Sequence, residues 1–389
     1  MTKARKLVGI IGSGQIGLDP FDRQSWSGSS SFFFRECERQ GILHRVFGVE
    51  VPPLKRHTLL ALNFSPNRRR WRTAYYMDPR YRHALTDVVS RRLHADDFRH
   101  CFLQIGAMYD VPRLVNGRTL CFSYHDGNMA YSLRSPYAVP GLRPGAIRRG
   151  LAFEREVYAG LTMIFTMSED LRASFIQDFD VPPERVRSIG AGVNLERLPE
   201  YVPDKDYDRK ELLFIGVDFG RKGGWQLLRA FKHVRERLPE SRLHIVGPRT
   251  LDIPPELAGG VRYHGFLAKS DPHDYARLTR LFRECSLYVM PSLYEPFGIA
   301  PLEAMLHQLP CVVTNGWGLK ETVADGQTGG LVECGSVDDL SDKLLRFLRD
   351  PDKLRDMGEQ GRTRVLNHYT WDKVVGRMKV HIESVGNTP

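Results

Sequence analysis

Short apolar runs alternate with segments of helical periodicity in two separate parts of this 389-residue chain. Runs of four to six mostly apolar residues are typical of buried strands, and parallel strands need a crossover between them, usually a helix. The alternation therefore predicts two α/β units with parallel sheets. The predicted strands are 7–11, 44–49, 101–105 and 120–124 in the first part, with helices over 30–40 and 66–76, and a strand from about Leu212 followed by 243–246, 287–290 and 311–314 in the second part.

The chain is also longer than one hydrophobic core usually supports, because single cores stop growing at about 250–300 residues. Residues 198–208 are polar, contain prolines and have no apolar period, so they predict the connection between two domains. We predict a first domain over residues 1–195, a linker over 196–210 and a second domain over 211–368.

Two carboxylates, Glu295 and Glu303, bracket a glycine turn and the start of a predicted helix. The turn follows an apolar run, where an open α/β sheet offers its ligand crevice. A helix N-terminus carries partial positive charge and unpaired N–H donors, so Phe297, Gly298 and Ile299 predict a cradle for a diphosphate. The flanking carboxylates suit recognition of sugar and ribose hydroxyls.

A second turn places two cations directly after a buried strand. The strand that begins at Leu212 leads into Arg221 and Lys222, which are followed by paired glycines and a segment of helical periodicity. A basic pair by itself is usually a solvated turn. Its position after a buried strand favours a role in holding a leaving phosphate.

These segments, taken in order, resemble the motifs of retaining glycosyltransferases of the GT-B fold, family 4, including their E-x7-E motif. The resemblance implies an α/β fold of the GT-B type, with two Rossmann-like domains whose parallel sheets face an interdomain cleft. It also implies that residues 369–389 form a helix that returns to the first domain. Donor-binding positions implied by the resemblance are Gly28, Ser29, Arg221, Lys222, Gly265, Phe297, Gly298, Ile299 and Glu303.

The resemblance implies a retaining, metal-independent transfer of a sugar from a nucleoside diphosphate sugar, UDP or GDP, to an acceptor hydroxyl. The acceptor would be a saccharide or a glycolipid, in polysaccharide or glycolipid biosynthesis, and no cofactor is needed. Arg221 and Lys222 are the physical substitute for a metal ion, because they place positive charge where the diphosphate leaves. Glu295 is the predicted catalytic carboxylate of this domain.

The first domain should contribute a residue next to the sugar, and the segment 122–128 at the end of a predicted strand is the candidate. Members of the family often place a histidine there, which corresponds to His125, and some relatives use an aspartate, which corresponds to Asp126. His125 would bond a sugar hydroxyl or shield the reacting centre. The alternative for a lone histidine after a strand is a structural imidazole, and the sequence leaves these readings open.

Charge is shared unevenly between the two halves. Residues 1–190 contain 28 Lys or Arg against 18 Asp or Glu, and residues 191–389 contain 28 of each, so the net charge of +10 lies in the first half. A basic stretch at 67–72, which includes Trp71 and follows Ser65 as a predicted helix cap, suits an anionic membrane surface or simply a solvated helix. Arginines are interspersed with acidic residues and no recognition motif is present, so nucleic acid is not an expected partner.

Location and membrane contact follow from composition. No apolar run approaches the roughly 18 residues that span a bilayer, so any membrane contact should be peripheral. The six cysteines mostly lie in apolar runs without metal-ligand spacing, which favours a reducing compartment. We expect a cytoplasmic protein and leave peripheral contact with the inner face of the membrane as an open alternative.

Three other functions remain open as alternatives. Residues 12–17 match a dinucleotide fingerprint, but Pro20 breaks the following helix and Glu50 comes too late in the chain to bind the ribose, which argues against a nicotinamide oxidoreductase. Asp204, Asp206 and Asp208 mimic a metal-binding motif without the strand that would position them. A GT-B sugar-nucleotide epimerase is the closest competitor, and a non-catalytic sugar-nucleotide binding protein is the third alternative.

Overall fold

A computed structural model describes residues 5–12, 19–22, 25–117 and 119–386. The chain divides into two compact units, one formed by residues 1–194 together with 371–389 and the other by residues 195–370. Each unit contains a six-stranded sheet whose neighbouring strands are all parallel. The predicted α/β class with two parallel sheets is confirmed.

The sheet of the first unit is buried on both faces, as the apolar runs in its strands require. Its strand order is β2-β1-β3-β4-β5-β6, so the order reverses between β1 and β3. The strands are β1 (Leu7–Gly12), β2 (Leu43–Val49), β3 (Cys101–Ile105), β4 (Cys121–His125), β5 (Met163–Thr166) and β6 (Val186–Ser188).

Helices of the first unit begin at sequence signals that satisfy their free N–H groups or fix the first φ angle. Asn128 and Ser168 each accept a hydrogen bond from a backbone N–H three residues later, and Pro79 and Pro144 occupy first helical positions. The helices are α1 (Ser29–Arg39), α2 (Pro53–Leu62), α3 (Arg68–Met77), α4 (Pro79–Arg92), α5 (Met129–Leu133), α6 (Pro144–Gly160) and α7 (Glu169–Phe179).

The sheet of the second unit has the order β12-β11-β10-β7-β8-β9. Counted within the unit, this is the doubly wound order, with its switch point between β7 and β10. The strands are β7 (Glu211–Ile215), β8 (Arg242–Val246), β9 (Val261–Tyr263), β10 (Leu287–Met290), β11 (Cys311–Thr314) and β12 (Gly329–Val332).

Helices of the second unit pack apolar stripes on this sheet. The first of them buries Leu227, Leu228, Phe231 and Val234, at the spacing of one helix face. The helices are α8 (Gly224–Arg237), α9 (Pro272–Glu284), α10 (Ile299–Leu306), α11 (Leu319–Thr322), α12 (Val337–Leu348) and α13 (Pro351–His368).

The last helix, α14 (Trp371–Gly386), packs on the first unit. The indole N–H of Trp371 donates to Asn194 Oδ1 at 3.2 Å, and Arg377 donates to the carbonyl oxygen of Ile189 at 2.6 Å. A Cβ on Gly192 would lie 2.4 Å from the Trp371 ring, so only glycine allows this close approach.

Several local predictions differ from the structure. Helix α3 begins at Arg68 rather than residue 66, because the Asn67 side chain caps it by accepting from the Arg70 N–H. The second unit begins at residue 195, so the segment 196–210 belongs to it. Lys205 and Tyr207 are buried there. The Tyr207 side chain and the Lys205 ammonium group form hydrogen bonds with residues that are distant in sequence. A local polar pattern does not reveal such partners.

Residues 13–17 of the fingerprint-like segment lie outside the described residues. Within the described parts of the chain, every helix is too short or too polar to cross a bilayer.

Candidate active site

The candidate site of the second unit lies at the carboxyl ends of β7 and β10, the two strands at the switch point. The loop after β7 carries Arg221 and Lys222, and the loop after β10 carries Glu295. Because these strands are hydrogen-bonded neighbours, their following loops emerge side by side. The backbone N–H of Leu293 donates to the carbonyl oxygen of Arg221 at 2.9 Å, which ties the two loops together.

Both cations contact the same carboxylate oxygen. Lys222 Nζ forms a short ion pair with Glu295 Oε2, and Arg221 Nη1 lies 3.4 Å from that oxygen. Arg221 Nη1 also donates to the carbonyl oxygen of Tyr294 at 2.8 Å, while Asp218 accepts the Arg221 backbone N–H at 3.1 Å. The Arg221, Lys222 and Glu295 side chains are 26%, 14% and 12% exposed, so a ligand can reach charges that are largely shielded from water.

A glycine allows the two loops to approach. Gly223 precedes α8 with a φ of +75°, and a Cβ there would lie 1.9 Å from the carbonyl oxygen of Pro291 in the loop after β10. Gly223, the first of the paired glycines after the cations, thus serves the close packing of the two loops as well as the turn itself.

The segment predicted as a diphosphate cradle, between Glu295 and Glu303, lies at the start of α10. Gly298 adopts a φ of +99° at the N-cap of α10, Ile299 is the first helical residue, and Phe297 is buried. Glu303 lies one turn further along α10, where it is buried and bound by Lys269, whose Nζ is 2.6 and 2.7 Å from its two oxygens.

The two glutamates of the motif therefore have different partners. Glu295 pairs with the cations of the β7 loop, and Glu303 pairs with Lys269. Burial raises the pKa of Tyr288 strongly, and the charges of Cys311 and of both glutamates add to this effect. Gly265 lies in the loop after β9, where its carbonyl oxygen accepts from the N–H of Gly247 at 2.9 Å.

In the first unit, β4 ends at His125, and the structure gives His125 and Asp126 different environments. His125 is 1% exposed; its Nε2 lies 2.8 Å from Ser123 Oγ, and its ring packs edge-on against Phe175 and Tyr158. Asp126 is exposed. Of the two candidates that the sequence left open, only Asp126 therefore offers its side chain to a ligand in this structure.

The predicted glycine loop of the first unit lies beside Asp126. Gly28 adopts a φ of +88° immediately before α1, and the Trp26 indole N–H donates to Asp126 Oδ2 at 2.9 Å. Ser29 is buried and its Oγ accepts from Asn194 Nδ2 at 3.0 Å, so its hydroxyl supports the fold. The structure thus brings together the loop before α1 and the loop after β4.

Burial lowers the pKa of His125 to about 3, so the imidazole is neutral in the folded protein near neutral pH. The unfolded chain binds this proton near pH 6.5, so protonation favours unfolding and stability should fall as the pH drops from 6.5 towards 3. From pH 7 to pH 5 we expect His125 to contribute a loss of about 2 kcal/mol.

Urea unfolding of the wild type and of His125→Gln at both pH values measures this effect. Glutamine does not titrate, so the variant should lose about 2 kcal/mol less than the wild type between pH 7 and pH 5. His233→Gln, at a half-exposed position on α8, serves as the control for the substitution itself. Equal pH dependence of His125→Gln and the wild type would refute the assignment.

Sequence reasoning did not identify three contacting groups. Lys269, which binds Glu303, is 34 residues away in sequence, and Trp26, which binds Asp126, is 100 residues away, so no local pattern indicates either pair. Asp218 was within reach of a local argument, because it lies three residues before Arg221 in the same turn.

Two family models match the chain in sequence. The model described as Glycosyltransferase Family 4 matches residues 33–197, and the model described as Glycosyl transferases group 1 matches residues 202–364. Together they span most of both units. The chain belongs to glycosyltransferase family 4. Its two parallel sheets have the fold of the GT-B glycosyltransferases.

Relatives of this family 4 chain include the MMP alpha-(1->4)-mannosyltransferase of Mycolicibacterium hassiacum, which is 29% identical over 245 residues. That match spans 60% of the chain and 58% of the relative, so the chain spans less than two thirds of the length of this relative. Among solved structures, sucrose-phosphate synthase from Thermosynechococcus elongatus has a TM-score of 0.68 at 17% identity, covering 99% of this chain and 100% of that one. Anabaena HepE in complex with UDP has a TM-score of 0.61 at 16% identity, covering 97% and 100%.

Proposed function

We propose that the protein transfers a sugar from a nucleoside diphosphate sugar to an acceptor hydroxyl, with retention of the anomeric configuration and without a bound metal ion. The observation that carries this proposal is the convergence of Arg221, Lys222 and Glu295 at the switch point of the second sheet. Two cations held by one carboxylate beside a helix N-terminus suit the binding of a diphosphate.

The chemistry that these residues can perform is electrostatic. As the bond between the anomeric carbon and the diphosphate breaks, negative charge grows on the leaving oxygen, and Arg221 and Lys222 are already fixed beside it. The leaving phosphate oxygen can accept the proton of the acceptor hydroxyl on the same face of the sugar, so no separate base is required. Glu295 then has two functions: it orients the cations and accepts hydrogen bonds from sugar hydroxyls.

The first unit contributes Asp126 in this proposal. Its carboxylate is exposed and is oriented by the Trp26 indole N–H, which suits a group that binds a sugar hydroxyl. His125, directly before Asp126 in the chain, is a buried neutral imidazole with a structural role. Of His125 and Asp126, the two candidates predicted from the sequence, we therefore propose Asp126 as the residue that binds the sugar.

Donor and acceptor classes are supported by relatives rather than by the site alone. HepE was solved with UDP, which supports a uridine donor, and the mannosyltransferase relative supports a saccharide acceptor. We propose UDP as the first choice of nucleotide and GDP as the second. We propose a saccharide or glycolipid hydroxyl as the acceptor, in polysaccharide or glycolipid biosynthesis.

A thermal-shift panel of UDP, GDP, ADP and their sugar conjugates tests the donor site. A ligand that binds only the folded protein at a hundred times its Kd should stabilise it by about 2.7 kcal/mol, so one nucleotide should raise the melting temperature well above the others. Lys222→Ala should lose most of that shift, and Lys232→Ala, on the exposed side of α8, should keep it. A panel in which no nucleotide raises the melting temperature would refute the proposal.

Turnover separates the transferase from its competitors. With the donor so identified, a transferase releases free nucleoside diphosphate much faster when a saccharide acceptor is supplied. An epimerase would instead convert the sugar nucleotide without an acceptor, and a binding protein would return it unchanged. Acceptor-dependent release of diphosphate therefore supports the proposal, and either of the other outcomes contradicts it.

We also propose that the first unit binds anionic membranes through the surface of α2 and α3. Leu54 and Leu62 of α2 and Phe64 after it are 83%, 58% and 65% exposed, and Arg68 and Arg72 of α3 are also exposed. Apolar and cationic groups together favour an anionic lipid surface. Only part of the Trp71 side chain belongs to this surface, because its indole N–H donates to the carbonyl oxygen of Leu60 at 2.7 Å.

Co-sedimentation with vesicles tests this membrane surface. Vesicles rich in phosphatidylserine should bind the protein at low salt and release it at high salt, since screening shortens the range of the attraction. Phosphatidylcholine vesicles serve as the control and should bind much less. Equal binding to both kinds of vesicle, or none to either, would contradict the proposal.

A further inference from the structure

Three side chains with metal-binding atoms meet at the amino ends of the strands in the second sheet. Glu211 is the first residue of β7, His244 lies in the neighbouring β8, and Cys285 follows α9 just before β10. One carboxylate oxygen, one imidazole nitrogen and the thiol sulfur all lie within 4.8 Å of one another. All three residues are buried, with exposures of 4%, 3% and 0%.

The imidazole of His244 is aimed into this cluster with one nitrogen unsatisfied. Its Nε2 is buried and has no hydrogen-bond partner among the described residues. Glu211 Oε2 lies 3.2 Å away, within ion-pair distance of this nitrogen. Buried polar atoms are nearly always bonded, so this nitrogen needs an explanation.

Neighbouring groups orient both ligand atoms. Nδ1 of His244 lies 2.9 Å from Nε2 of His264, so when Nδ1 carries the proton it donates there and the lone pair of Nε2 faces the cluster. Glu211 Oε1 lies 3.2 Å from Arg242 Nη1 and 3.6 Å from Arg209 Nη2, which leaves Oε2 to the cluster. Metal ligands in proteins are usually oriented in this way by a second hydrogen-bonding partner.

We propose that Glu211, His244 and Cys285 bind one zinc ion. Sulfur, imidazole nitrogen and carboxylate oxygen are the donors that zinc takes in proteins, usually four in a tetrahedron, so a water molecule or hydroxide would complete the set. Glutamate and thiolate together balance the two positive charges of the ion. As the zinc–sulfur bond forms, the thiol proton of Cys285 is released to solvent.

The site is separate from the donor site and does not depend on the proposed function. Glu211 begins β7, whereas Arg221 and Lys222 follow the opposite end of that strand. The zinc ion would join β7, β8 and the segment before β10, three elements that lie side by side in the sheet. Its expected role is to stabilise the second unit, because an ion that binds only the folded state favours folding by mass action.

Cobalt(II) provides a direct readout, because it occupies zinc sites and gives a sulfur-to-metal charge-transfer band when a thiolate binds it. The full chain is first dialysed against a chelator and then titrated with cobalt. We expect a charge-transfer band that saturates at one equivalent and disappears when zinc is added. Metal analysis after gel filtration of the zinc-loaded protein should find one zinc per chain.

Matched variants decide which thiol binds. Cys285→Ser should lose the charge-transfer band, while Cys334→Ser, at the exposed cysteine, should keep it. His264→Gln should bind cobalt about ten- to a hundredfold more weakly, because it removes only the group that orients His244. If Cys285→Ser does not fold, His244→Gln takes its place with the same expected loss.

Two results would overturn the zinc site. The first is a wild-type protein that retains no zinc and shows no zinc-dependent rise in melting temperature. The second is a cobalt band that Cys285→Ser retains and Cys334→Ser loses, which would assign metal binding to the exposed thiol alone.

Discussion

Lys222→Ala and Glu295→Gln should each reduce sugar transfer by about a hundredfold to a thousandfold, the range found when one preorganised electrostatic group is removed from a transition state. Both side chains are partly buried, and neither belongs to the apolar core, so the melting temperature should change little. The comparison requires initial rates of diphosphate release at saturating donor and acceptor.

The two variants should differ in how they bind the nucleoside diphosphate. Lys222→Ala removes a cation that faces the diphosphate, so affinity for the diphosphate should fall together with the rate. Glu295→Gln keeps both cations and frees the Lys222 ammonium from its carboxylate, so diphosphate affinity should be kept or increased while transfer is lost. Titration calorimetry with the diphosphate measures this split.

Controls for this pair lie on the exposed side of α8. Lys232→Ala and Glu236→Gln repeat the same chemical changes in the same unit, away from the switch point, and should retain full transfer. Full activity in purified Lys222→Ala or Glu295→Gln would refute the role assigned to that residue. Diphosphate affinity that falls equally in both variants would refute the separate role of the carboxylate.

Gly223→Ala should produce the second large effect, a loss of at least about 2 kcal/mol of stability. A side chain at a φ of +75° costs about 1–3 kcal/mol by itself, and here the added Cβ would also lie 1.9 Å from the carbonyl oxygen of Pro291. The Cβ is attached directly to the backbone of residue 223, and the carbonyl oxygen belongs to the backbone of Pro291, so neither atom can rotate away. Relief would have to separate the loop after β7 from the loop after β10, and transfer should fall with stability.

Two other glycines separate the causes. Gly265 has a φ of +71°, but a Cβ there would meet no described atom within 4 Å, so Gly265→Ala should show the backbone strain alone. Gly220 has neither problem within the described structure, so Gly220→Ala should be close to the wild type. Urea unfolding should rank the losses as Gly223, then Gly265, then Gly220. A Gly223→Ala protein as stable as Gly220→Ala would contradict the close approach of the two loops.

Much of the donor site was accessible from sequence because its signals are local. Arg221 and Lys222 follow a buried strand within a few residues, and Gly298 precedes the helix that contains Glu303. Strand ends and helix starts are determined by apolar period, glycine and proline over short stretches, so their order along the chain predicts which loops carry charge.

The environment of each side chain was less accessible. A strand pattern placed His125 at the end of β4, and only packing against Phe175 and Tyr158 shows that the imidazole is buried while Asp126 is exposed. The polar pattern around residues 204–208 predicted a linker. In the structure, the hydroxyl of Tyr207 donates to the carbonyl oxygen of Gln308 inside the second unit.

The sequence alone predicted two parallel α/β units, four of the six strands in each of them, and the loops that carry Arg221, Lys222 and Glu295. These features depend on interactions over a few residues, which composition and periodicity record directly. The tertiary structure alone decided the partners: Lys269 for Glu303, Trp26 for Asp126, and the meeting of Glu211, His244 and Cys285. Such contacts join residues 34 to 100 positions apart or strands that are neighbours only in the sheet, so they follow from strand order and packing, which no local pattern contains.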